Sequence, residues 1–212
     1  MFLSTLYSDP FAFILMVIAI LVALTVHEFS HALAATLLGD QTAKRMGRLT
    51  LNPFAHIDIF GFLALVFVGF GWGKPVPYNP YNLKNRRWGS IIVGIAGPIS
   101  NFIFLALSAL LLHLTAPIFG GKYLIVFLAY LFQFNVILML FNLIPIPPLD
   151  GSKVVIALLD QPKYLSVRNQ YETYGPWALM ILILAEALLG LNIFGYILNT
   201  PYSWIIDLFR MN

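Results

Sequence analysis

The chain has 212 residues, 60% of them hydrophobic and only 10% charged, with 12 Lys and Arg against 9 Asp and Glu. Soluble domains are about one quarter charged, so this chain lacks the polar residues to cover a globule and belongs in lipid. The absence of cysteine removes disulfides, iron–sulfur clusters and thiolate zinc sites, which leaves His and carboxylates as ligands for any metal.

In chain order, the first apolar run extends from about Pro10 to Leu38. Nothing basic precedes it and it is about twice the length of a signal-peptide core, so it is expected to stay as a span. Further spans are expected at about 91–115, 122–144 and 175–190. A fifth segment, 193–210, contains Asn199, Pro201 and Asp207, and reads either as a kinked span or as an interfacial helix. The run Phe60 to Trp72 would reach only about 20 Å as a helix, against a hydrocarbon core about 30 Å thick. It holds Gly61, Gly69 and Gly71, with Gly73 just beyond, and reads as re-entrant. The polar stretches between spans are loop-sized, so residues 1–212 form a single membrane-embedded domain of all-α polytopic class.

The basic residues test this topology. If 60–72 dips and returns, and if 193–210 crosses, then Lys44, Arg45, Arg48, Lys74, Lys84, Arg86, Arg87, Lys153, Lys163, Arg168 and Arg210 share one face, leaving Lys122 opposite. Cytoplasmic loops carry such an excess, which puts the N-terminus outside. The setting expected is a prokaryotic cell membrane.

Within the first span the sequence reads His27-Glu28-Phe-Ser-His31. At about 100° per residue the two imidazoles lie about 40° apart, with Glu28 about 100° from His27, so all three project from one side of a helix. That spacing lets two imidazoles share one metal while the carboxylate addresses water. In a soluble protein the pattern often occurs by chance, but two His and a Glu in hydrocarbon carry a heavy cost unless paired or functional. A catalytic zinc needs a third protein ligand and an open position. Asp150, Glu186, His113, His56 and Asp58 are the candidates, and depth selects Asp150, which follows the 122–144 helix at its cytoplasmic end. His56 lies on the same side; it reads as a turn residue or as a group orienting a ligand. Asn135 reads as an interhelical hydrogen-bonding amide, whereas Asn142 is close enough to Asp150 in sequence to serve a substrate. Ala32, Ala34, Ala35, Gly94, Ala96 and Gly97 read as small residues that let helices approach.

These residues resemble the site-2 protease family of intramembrane zinc metalloproteases. His27-Glu28-x-x-His31 is similar to its first motif, and Asn142 to Gly151, ending Pro-Pro-Leu-Asp-Gly, is similar to its second, whose Asp is the third zinc ligand. Ala96 to Asn101 and Asn52 to Asp58 are also similar to family segments. The resemblance covers about residues 20 to 160, and the chain has no room for the PDZ or CBS domain of larger members. It implies a three-helix catalytic core with a membrane-embedded β segment between the first two core helices, here around 60–82. It also implies that Asn142 and Pro148 shape substrate binding, and Asn101 is grouped with them.

The resulting expectation is one zinc held by His27, His31 and Asp150, with Glu28 as general base. The expected substrate is a transmembrane protein unwound beside a strand edge; lipid surrounds the chain and no nucleic-acid partner is expected. The competing reading is a membrane metal transporter or sensor using the same His and Asp groups. Another family of HExxH membrane peptidases would take its third ligand from a Glu, which singles out Glu186.

Overall fold

A computed structural model describes residues 2–119 and 121–211. A short helix α1 (Phe2–Ser8) leads into α2 (Pro10–Leu37), which starts where Asp9 accepts a hydrogen bond from the Ala12 amide at 3.0 Å and Pro10 occupies the first turn. Both features are favourable there, because the first-turn N–H groups have no helical partner. A one-turn helix α3 (Thr42–Arg45) follows, then α4 (Ile59–Val68), α5 (Arg86–Phe119) and α6 (Lys122–Asn142). The chain ends with α7 (Gly151–Leu158), α8 (Leu165–Leu189) and α9 (Ile193–Leu208).

The helices α2, α5 and α6 pack pairwise into the bundle that carries the site. Met16, Ala19, Ile20 and Ala23 of α2 meet Leu131 and Phe134 of α6 in one buried cluster, and Leu105 and Ala109 of α5 meet Phe132 and Val136 of α6 in another. Small residues on α2 bring the backbones close, as lipid-embedded helices require when hydrocarbon offers no hydrophobic drive between them. Four helices are long and apolar enough to cross a membrane: Pro10–Leu37, Arg86–Ala116, Lys122–Asn142 and Pro162–Leu189.

Two expectations are corrected. The segment around 60–82 contains no β-strand among the described residues, and its first half is the helix α4. Asp58 caps that helix by accepting from the Gly61 amide at 2.8 Å, and Gly69 ends it at φ +84°, a conformation that favours glycine. The return through 70–73 lies directly on α4, since a Cβ on Gly61 would collide with the Trp72 carbonyl and one on Gly71 with the Gly61 carbonyl. The entry and exit meet in one antiparallel bridge, Ile57 with Gly73, backed by the Lys74 amide donating to the His56 carbonyl at 2.9 Å. The chain therefore does turn back on itself here, but through a helix and an extended return rather than through paired strands. The physical reason is that a helix satisfies its own backbone at membrane depth, whereas an isolated two-stranded ribbon exposes two edges.

The second correction concerns Arg210. Phe194 packs against Phe141 and Leu198 against the Ile144 cluster, whereas Phe209 packs on Phe132 and Phe102. Helix α9 therefore runs antiparallel to α6, from the C-terminal end of α6 to its middle. Arg210 lies at half depth and does not join the other basic residues. Those stay together: the Lys84 amide donates to the Leu38 carbonyl, Arg48 to the Lys74 carbonyl, and Arg86 and Arg168 share Asp160. Lys122 sits at the far end of the bundle, paired with Asp9 at 3.0 Å.

Candidate metal centre

Three acceptor atoms converge between α2 and the start of α7. His27 Nε2, His31 Nε2 and Asp150 Oδ2 are each 3.0 Å from the other two. All three residues are buried, and they form the only group of three or more potential ligands among the described residues. The two histidines are one helical turn apart on α2, as their spacing dictates. Asp150 reaches them because the chain reverses after α6, through the prolines at 145, 147 and 148, with Gly151 packed so closely on the Leu143 carbonyl that no side chain fits.

The far sides of the rings determine what the convergence means. His31 Nδ1 lies 2.6 Å from the Val93 carbonyl, which can only accept, so Nδ1 carries a proton. His27 Nδ1 lies 2.6 Å from Asn101 Oδ1, and the Asn101 amide nitrogen donates to the Ala23 carbonyl at 3.2 Å and to Asn135 Oδ1 at 2.7 Å. That network fixes which Asn101 atom is the oxygen, so His27 Nδ1 is also the donor. Neutral rings so oriented present bare lone pairs at both Nε2 atoms. The Lys153 ammonium lies 2.7 Å from Asp150 Oδ1 and favours its ionised form.

Two imidazole lone pairs and a carboxylate oxygen at 3.0 Å repel one another unless a cation lies among them. Ligands about 2.0–2.1 Å from a tetrahedral zinc stand about 3.3 Å apart, so this triangle needs only a few tenths of an ångström of expansion. The cradle is shaped as well as charged. A Cβ at Gly97 would come within 2.5 Å of His31 Nε2 and 2.7 Å of His27 Nε2, so the absent side chain on α5 makes the space. The donor set therefore fits zinc.

Glu28, adjacent to His27 and nearly buried, accepts a hydrogen bond from the Val76 amide at 3.1 Å through Oε2. The extended strap carrying Val76 is anchored by Arg48, a buried guanidinium that donates to the Lys74 carbonyl. Nothing in the sequence signals this 48-residue link, because an amide donor exists at almost every position.

The remaining candidates lie elsewhere. His56 is fully buried with Nε2 on the Thr50 carbonyl at 2.8 Å, Asp58 caps α4, and His113 Nδ1 bonds the Ala109 carbonyl at 2.8 Å. Glu186 Oε2 accepts from the Phe194 amide at 2.9 Å, capping the start of α9, and stays out of the ligand group. Asn101, expected beside the substrate, is instead fully buried against His27. Asn142 is half-buried and donates to the Leu138 carbonyl of its own helix at 3.0 Å, and Pro148 is exposed.

The model of peptidase family M50 matches residues 15–119 and 119–185. "Putative zinc metalloprotease YwhC" of Bacillus subtilis is 39% identical over 201 residues, covering 92% of this chain and 90% of that protein. "Putative zinc metalloprotease Rip2" of Mycobacterium tuberculosis strain H37Rv is 29% identical over 204 residues, covering 92% of this chain and 74% of that protein. The Rip2 of Mycolicibacterium smegmatis is 34% identical over 146 residues, 66% of this chain and 55% of its own length. No solved structure matches. With apolar helices long enough to span a bilayer around a His, His and Asp cradle, the chain belongs to peptidase family M50 and is an integral-membrane zinc metalloprotease.

Proposed function

We propose that the protein is a single-domain intramembrane protease that hydrolyses peptide bonds in or near transmembrane segments of membrane proteins, in regulated intramembrane proteolysis. The observation that carries this reading is the convergence of His27, His31 and Asp150, at 3.0 Å separations, inside a bundle of membrane-spanning helices. In this reading these three residues hold one zinc per chain. Bound zinc supplies a Lewis acid that makes water a nucleophile near neutral pH and polarises a carbonyl.

The chain's own residues supply the proton chemistry. Val76 fixes one oxygen of Glu28, and the carboxylate takes a proton from the attacking water. Glu28 then returns that proton to the leaving nitrogen as the C–N bond breaks. Asn101 and the Val93 carbonyl hold the ligand rings in the tautomer that keeps both Nε2 lone pairs inward. Asn142 and Pro148 border the substrate. For Asn142 to donate to a substrate carbonyl it must exchange its bond to Leu138. His56 supports the centre indirectly, by pinning the turn that carries the Lys74–Val76 strap.

The bundle end that carries ten basic residues faces the cytoplasm of a prokaryotic cell, with the N-terminus and Lys122 outside, and water reaches the site from that basic end. The test is zinc content together with cleavage of a transmembrane peptide. Glu28→Gln is expected to keep its zinc and lose cleavage by about 10²–10⁴-fold, and Asp150→Ala to lose both. Undiminished cleavage by Glu28→Gln would sink the mechanism, and zinc-driven metal flux in proteoliposomes without cleavage would sink the function.

A further inference from the structure

A cavity of about 220 Å³ opens at the basic end of the bundle, between the start of α5, α7 and the start of α8. Four cations line it: Arg86, Arg87, Lys153 and Arg168. Two carboxylates oppose them. Asp160 accepts from Arg86 at 3.1 Å and Arg168 at 2.6 Å, and Glu172 accepts from Arg168 at 2.8 Å. The lining therefore carries two more positive charges than negative ones. Lys153 spends part of its charge on Asp150, at 2.7 Å.

Arg87 carries the excess. Its Nε is buried and has no hydrogen-bond partner, and no carboxylate pairs with it among the described residues. Arg87 therefore lines the cavity with a charge that no carboxylate offsets. The cavity also lies at the first turn of α5, a 34-residue helix whose dipole adds positive potential there, although the Trp88 and Gly89 amides already donate to Asn85.

Depth narrows the class of anion. Arg86 lies over the ring of Tyr81 at 4.5 Å and Arg87 over Trp88 at 6.0 Å, and both aromatic residues are exposed. Exposed Trp and Tyr beside Arg mark the level of the lipid headgroups. The volume is below the roughly 300–1,000 Å³ of sites for drug-sized ligands, and suits a group the size of a phosphate. Arginine forks match phosphate oxygens in pairs.

We propose that this cavity is a phosphate-binding site, filled by the headgroup of an anionic phospholipid or by free inorganic phosphate, with Arg87 as its principal ligand. An occupant joins α5, α7 and α8 to the Tyr78–Pro80 strap, next to the metal centre. This proposal does not rest on the peptidase reading, and its test is a binding measurement that a failure of proteolysis leaves untouched.

The experiment is native mass spectrometry of the full chain, titrated with phosphatidylglycerol, with phosphatidylcholine (the same phosphate beneath a choline cation) and with inorganic phosphate. Saturable binding of one phosphatidylglycerol over phosphatidylcholine is expected. Arg87→Gln is expected to weaken it about tenfold, with partial recovery in Arg87→Lys. If inorganic phosphate leaves that binding unchanged, the headgroup is the ligand; if it binds alone or competes, the site takes free phosphate too. Equal binding of both lipids with no phosphate effect overturns the proposal in the wild-type chain alone, as does wild-type affinity in Arg87→Gln.

Discussion

At the scale of single residues, the metal centre depends on groups that never touch the metal. Asn101 accepts a hydrogen bond from the His27 Nδ1–H while spending both its own hydrogens on Ala23 and Asn135. An alanine there frees the ring to rotate and leaves buried acceptors unpaired. Asn101→Ala is expected to lower zinc affinity about 10–100-fold, as removal of such supporting groups does elsewhere. Competition with a chelator measures the affinity. Asn135→Ala, which leaves the bond between Asn101 and His27 in place, should lose less, and equal losses in both would show that helix packing rather than ring orientation is at stake. Glycine at position 97 belongs to the same design, because a methyl group there would overlap both rings.

At the scale of elements, the strap from Lys74 to Val76 connects the loop after α3 to the Glu28 carboxylate. Arg48 holds the Lys74 carbonyl, and two residues later the Val76 amide holds Glu28. Arg48→Ala should release the strap, lowering kcat with zinc content unchanged, and Arg48→Lys should restore part of it. A loss confined to zinc binding would refute this positional role.

A second anchor lies at the end of α2. Asp40 is fully buried and accepts from the Thr42 hydroxyl at 2.6 Å, the Asn79 amide at 2.7 Å and the Asn82 side chain at 3.0 Å. Burial pushes its carboxyl up, but those hydrogen bonds outweigh it and hold it below its ordinary 3.8. A depressed carboxyl contributes stability that is present above its unfolded value and is lost as pH falls through the folded one. Below about pH 4 the thermal midpoint of the wild type should therefore fall more steeply than that of Asp40→Asn, which has no proton to take up. Parallel slopes in the two melting series would rule this out.

At the scale of the whole molecule, the bundle separates its charges. Ten Lys and Arg gather at the end that bears the site, Lys122 lies at the other, and Arg210 stops midway, next to Phe209, which packs on Phe132. Because the chain has no cysteine, single-cysteine variants report topology without background. In sealed vesicles a membrane-impermeant thiol reagent is expected to reach Lys44→Cys and Lys122→Cys from opposite sides, and Arg210→Cys from neither. Labelling of Lys44→Cys and Lys122→Cys from the same side would overturn the orientation. Helix α8 stands apart from the bundle, with only 11% of its spanning window buried, against 39–44% for α2, α5 and α6. Its start at Leu165 lies ahead of the span expected at 175–190. A sequence window finds a helix by its apolar run, and the polar first two turns from Leu165 precede that run.

What could be read from the chain alone was whatever depends on neighbours in sequence. Hydropathy set the spans, the 27–31 spacing set two imidazoles on one helix face, and the depth of the 122–144 span pointed to Asp150 over Glu186. What only the folded molecule decided lies between distant segments: Asn101 on His27 across 74 residues, Val93 on His31 across 62, and Val76 on Glu28 across 48. The choice of helix over strand at 59–68 and the half-depth course of α9 also belong to the fold. These depend on which backbones come into contact, and in a membrane that is set by close packing and by the need to satisfy every buried polar group, not by the hydrophobicity that a single segment carries.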